Sequence, residues 1–83
     1  MITGGWQAAD PDSKTVKDAA NYAVTRLPAG HGAFAAVRSA QTQVVAGTNI
    51  RMVISLADGT IWETTVWHKL DGSYVLGGTQ PKP

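Results

Sequence analysis

The chain has 83 residues, 43% of them hydrophobic and 16% charged, with a formal net charge of +1. A chain of that length and balance folds as one domain with a modest core and is not intrinsically disordered. Its seven Lys and Arg are scattered from Lys14 to Lys82 rather than gathered in a block, which argues against a nucleic-acid partner, and the lack of any cysteine excludes a disulfide framework, a thiolate nucleophile and a Cys-based metal site.

In chain order, the opening MITGGWQAAD carries neither a basic n-region nor an apolar h-region. No signal peptide is therefore expected, and a cytoplasmic location is; a mature secreted or periplasmic form with an added Met would read the same. No apolar run approaches the roughly 20 residues of a membrane span, so no membrane partner is expected. Gly4-Gly5 offers a side-chain-free approach, and residues 1–9 read as a mobile terminal segment. Asp10 suits an N-cap, Pro11 the first helical position and Asp12 the first turn. Val16, Ala19, Ala20, Ala23, Val24 and Leu27 recur at three-to-four spacing, which predicts an amphipathic helix over 11–27 with a narrow face of small residues. Pro28 and AGHG end it.

Everything after Gly32 reads as strand. Phe34–Val45 is the first long run. In Thr48–Leu56 the residues Ile50, Met52, Ile54 and Leu56 share one face. The ADG at 57–59 predicts a three-residue turn with Gly59 left-handed, and Thr60–Lys69 then turns Trp62, Thr64, Val66 and His68 inward so that Glu63 and Lys69 stay in water. DGS at 71–73 marks another tight turn, into Tyr74–Gly77. The expected architecture is α+β, a single domain over 1–83 with one α-helix packed across a four- to five-stranded antiparallel β-sheet.

Chemistry for catalysis is sparse. His31 and His68 are the two histidines and Glu63 the one glutamate, and no serine lies in a nucleophile elbow. No metal-binding HExxH, phosphate loop or dinucleotide GxGxxG is present, so neither a cofactor nor a catalytic residue is assigned. Trp62 is expected in the core and Trp67 on the outer face. What remains is TQVVAGTN, Thr42–Asn49, an uncharged tip between two strands. In a meander it lies at the same end as LDGS, Leu70–Ser73, and Gly4-Gly5 could join them. Val44 and Val45 offer contact area and Ala46-Gly47 keep the tip slim. Pattern alone leaves two readings open, an ordinary hairpin turn and a preorganised edge that docks in a cleft.

The residues QVVAG, Gln43–Gly47, match the Gln-x-Val-x-Gly hairpin of the cystatin family of cysteine-protease inhibitors. MITGG, TQVVAGTN and YVLGGTQ resemble the disulfide-free stefin branch, while DAANYAV resembles the helix of plant cystatins. The resemblance covers nearly the whole chain. It implies a reversible, tight-binding inhibitor of papain-like, cathepsin-type cysteine peptidases, not an enzyme. The residues it implies at the contact are Gly4, Gly5, Gln43, Val44, Val45, Ala46 and Gly47, with Leu70, Asp71 and Gly72 from the second hairpin. That second hairpin departs from the family: Leu70 matches the stefin leucine, but the loop is short and lacks proline, so its contact is expected to be reduced. The resemblance also implies a monomer able to exchange its first hairpin into a dimer, with strain at the valine before the tip. Two alternatives stand beside it, a non-inhibitory interaction module on the same fold and a small enzyme using His31 or His68.

Overall fold

The computed structural model describes residues 5–27 and 34–82. Its elements are β1 (Gln7–Ala9), α1 (Lys14–Thr25), β2 (Phe34–Val45), β3 (Gly47–Leu56), β4 (Ile61–His68) and β5 (Tyr74–Lys82). All neighbouring strands pair antiparallel, in the spatial order β1-β2-β3-β4-β5. One helix therefore lies across a five-stranded sheet whose spatial order repeats its chain order.

The core forms between α1 and one face of the sheet. From the helix come Val16, Ala19, Ala20 and Ala23; from the sheet come Ala40, Ile50, Met52, Ile54, Leu56, Trp62 and Val66, all buried. Three alanines let the helix backbone lie close to the sheet, and the large side chains of β3 fill the space between. Each fully buried Ile or Met contributes roughly 1.5–3 kcal/mol over its exposed state. The even-numbered residues of β3 and β4 point inward, as their alternation predicted. Thr64 is the buried polar exception among the described residues, and its hydroxyl donates to the Gly78 carbonyl at 3.1 Å.

In β2 the pairing runs Phe34↔Leu56, Ala36↔Ser55, Val37↔Ile54, Ser39↔Val53 and Ala40↔Met52. Ala35 and Arg38 are thus extra residues, two bulges that bring Phe34, Val37 and Ala40 onto the core side at a spacing of three. A bulge also increases the local right-handed twist of the strand.

Several expectations are corrected. The helix starts at Lys14, not at 11, and its cap is Ser13, whose Oγ accepts from the Val16 amide at 3.3 Å. Asp10 instead closes the preceding turn, its Oδ1 accepting from the Asp12 amide at 2.9 Å. The helix ends at Thr25, with Arg26 as its cap. Residues 7–9, read as part of a mobile terminus, form β1, because the outer edge of β2 offers them a ladder at Thr42, Gln41 and Ala40. β5 continues past Gly77 to Lys82. Among the described residues positive φ is confined to Gly47, Gly59 and Gly72, so Val45 carries no left-handed strain and the glycine two residues on takes that conformation.

Candidate functional site

The β2–β3 hairpin pairs Val44 with Thr48 and Val45 with Gly47, leaving Ala46 as its apex. Such a narrow apex demands an unusual backbone, and Gly47 supplies it with φ +99°. Space demands it too: a Cβ on Gly47 would stand 2.3 Å from the His68 carbonyl oxygen, 3.1 Å from Trp67 Nε1 and 3.2 Å from Lys69 Cα. The hairpin rests on the end of β4, and Trp67 Nε1 donates to the Ala46 carbonyl at 2.9 Å. Lys69 Nζ lies 5.4 Å from the Trp67 ring centre. On the face turned away from the helix, Asn49 Nδ2 donates to Gln43 Oε1 at 3.2 Å, so Gln43 braces the two strands below the tip. Val44 is 70% exposed, Ala46 is exposed and Val45 is half-buried.

The second hairpin carries Leu70, Asp71 and Gly72 between Lys69 and Ser73. The Lys69 amide donates to the Ser73 carbonyl at 2.8 Å, and the Gly72 amide donates to the Lys69 carbonyl at 3.0 Å. Gly72 has φ +91°. Asp71 Oδ1 accepts from the Ser73 hydroxyl at 2.6 Å and from its amide at 2.9 Å. Those two bonds, the hydroxyl first, hold the Asp71 carboxyl below the ordinary carboxylate range, with help from the Lys69 charge. The turn at Ala57-Asp58-Gly59 is built the same way, with Asp58 Oδ1 bonded to Thr60 Oγ1 and amide, and Gly59 at φ +88°. Leu70, 83% exposed, stands clear of the second hairpin. Between the two tips Ala46, Trp67, Lys69, Leu70 and Asp71 line an open, mostly apolar recess of about 260 Å³.

The third element is the N-terminal segment. With Gln7 opposite Thr42 and Ala9 opposite Ala40, β1 runs antiparallel to β2, so Trp6 and Gly5 emerge at the Ala46 end of the sheet. A Cβ built on the exposed Gly5 would meet nothing within 4 Å. Nothing in the fold requires glycine there, in contrast to Gly47. Gly4 and His31 lie outside the described residues.

The structure thus gathers Gly5, Val44–Gly47 and Leu70–Gly72 at one end, and it assigns Gln43 to bracing below that end. Sequence reasoning missed the part of Trp67, which was expected only as an outer-face aromatic. Its place in β4, one residue before His68 and opposite Asn49, puts its indole under the first tip. That position follows from register, and register was the available signal.

One helix laid over a five-stranded antiparallel meander, with two hairpin tips and the N-terminal segment at one end, defines the cystatin type of fold. The chain belongs to the cystatin family: the family model for the cystatin domain matches residues 4–77. Cysteine proteinase inhibitor 1 of Actinidia chinensis var. chinensis is 37% identical over 76 residues, covering 83% of this chain and 66% of that protein. The chain therefore spans just under two thirds of that relative's length. The crystal structure of a salivary cystatin from the soft tick Ornithodoros moubata superposes with a TM-score of 0.80, covering 99% of this chain and 100% of that one, at 18% identity. At that identity the likeness is one of fold. The lack of cysteine agrees with the disulfide-free stefin branch.

Proposed function

We propose that the chain is a reversible, tight-binding inhibitor of papain-like cysteine peptidases. Gly5 and the segment before it lie in the non-primed half of the cleft, and the two hairpin tips lie in the primed half. The observation that carries this reading is the gathering of three slim, largely apolar elements at one end of the sheet. Gly5 adds a specific reason: its missing side chain serves nothing inside the fold, so a close-fitting partner is what would require it. Val44 and Leu70 supply exposed apolar area, and the hydrogen-bonded turns beneath them limit the entropy lost on docking. The tips and the N-terminal segment block the cleft without offering a peptide bond in a cleavable register. The finer targets that follow from this reading are cathepsin-type enzymes met in the cytoplasm.

Titrating papain and a panel of cathepsins with the pure protein tests it. Stoichiometric or near-stoichiometric inhibition is expected, and Gly5→Glu should weaken it by about 30-fold or more, the scale of a hot-spot loss, without changing the melting temperature. No inhibition at micromolar concentration overturns the reading. The brevity of the second tip, three residues from Leu70 to Gly72, favours a second reading as a non-inhibitory interaction module. That reading predicts a stable fold with no peptidase affinity, and the same titration separates the two.

A further inference from the structure

β1 is three residues long and sits at the edge of the sheet, and a ladder that short is weak by itself. Its neighbour Trp6 supplies what the ladder lacks. Arg51 Cζ lies 4.2 Å from the Trp6 ring centre, well inside the range of a cation–π contact. Arg51 is itself held: its Nε donates to Gln41 Oε1 at 2.9 Å, and its Nη2 donates to the same oxygen. Gln41 and Arg51 face each other across β2 and β3. Three consecutive segments, the residue before β1, β2 and β3, are therefore joined on the face turned away from the helix, directly beside Gly5.

We infer that Arg51 is a positioning residue, which clamps Trp6 through a guanidinium fixed by Gln41 and thereby sets the direction in which Gly5 leaves the sheet. The inference deepens the inhibitor reading and rests on it for its functional consequence. The guanidinium is fixed at one edge by the amide oxygen, and its Cζ lies over the indole ring. A lysine would keep a charge but lose that fixed plane. The clamp acts on the peptidase contact only through the N-terminal segment, so its effect must pass through Trp6.

A double-mutant cycle in the full chain tests this, with Arg51→Met and Trp6→Ala made singly and together. Two quantities are read, amide hydrogen exchange at residues 7–9 and the inhibition constant against papain. In the Trp6 background Arg51→Met should speed exchange at 7–9 and raise the inhibition constant, each about two- to fivefold, the range of an exposed cation–π contact. In the Trp6→Ala background the same substitution should change neither. Equal effects of Arg51→Met in both backgrounds would show that it acts on the sheet in general and would overturn the clamp, as would unchanged exchange at 7–9. If the wild-type chain does not inhibit papain, the inhibitor reading falls, and the exchange measurement alone decides the clamp.

Discussion

Replacing Gly47 with alanine separates what the fold requires from what a partner requires. Two costs add at this position. A backbone with φ +99° is one that L-residues rarely occupy, and holding alanine there costs about 1–3 kcal/mol. The new Cβ would also sit 2.3 Å from the His68 carbonyl oxygen, so the hairpin must retreat from β4 by most of an ångström. That movement stretches the 2.9 Å bond from Trp67 Nε1 to the Ala46 carbonyl past its useful range, a loss of about 1 kcal/mol. Together these give roughly 2–4 kcal/mol, a large share of the stability of a small domain. For a domain of this size that is a fall in melting temperature of about 10–30 °C. Thermal denaturation followed by circular dichroism measures it, with Gly5→Ala as the partner variant. The Cβ of Gly5→Ala meets nothing within 4 Å, so its melting temperature should stay within about 2 °C of wild type. A Gly47→Ala variant that melts within about 3 °C of wild type would refute both the geometry of the tip and the reasoning from it.

Val44→Asp, at a side chain that is 70% exposed, should leave the melting temperature unchanged and weaken papain inhibition by about 30-fold or more; unchanged potency would remove Val44 from the contact. Ala20→Leu would force a large side chain between the helix and the sheet, and urea denaturation should show a loss of about 1–3 kcal/mol, whereas no loss would mean that the helix does not lie close. The Asp71 carboxyl titrates below the ordinary value because Ser73 bonds its charged form, so its folded-state value lies under its unfolded one. The contribution to the second turn is therefore complete above about pH 4, the ordinary carboxylate value, and is lost as pH falls through the folded value. An NMR titration of Asp71 should give a midpoint below that value in the wild type and a higher one in Ser73→Ala; a midpoint at or above it in the wild type would contradict the turn's hydrogen bonds.

Where one local rule acted alone, the sequence was legible. β3 and β4 alternate because one face is buried and the other wet, and so the inward faces from Ile50 to Leu56 and from Trp62 to Val66 follow from the alternation alone. The turn at 57–59 was legible because Asp and Gly at those positions answer a specific backbone demand. β2 was harder, since two bulges shift its inward residues to a spacing of three and conceal the period. The helix start was misplaced because Asp10 and Ser13 are both competent caps, and only the path of the preceding turn decides between them. β1 was missed because its residues Gln7, Ala8 and Ala9 have little intrinsic strand preference and take that form from the free edge of β2. At the candidate site, the QVVAG motif and the glycines marked the tips through their family resemblance. The bracing by Trp67 and Gln43 depends on cross-strand register, which no single segment encodes.

The agreement between chain order and spatial order has a kinetic consequence. β2, β3, β4 and β5 are joined by very tight turns, so each pairing closes a short loop and costs little entropy before contacts reward it. β1 is the exception: Ala9 meets Ala40 only after the whole helix and the segment that follows it have been brought round. The meander is thus expected to assemble first and β1 to zip on last, and in the native state β1 is the first to come away. On the proposed inhibitor reading, a peptidase would meet a preassembled pair of tips, and the opening and closing of the N-terminal arm would set how long the complex lives.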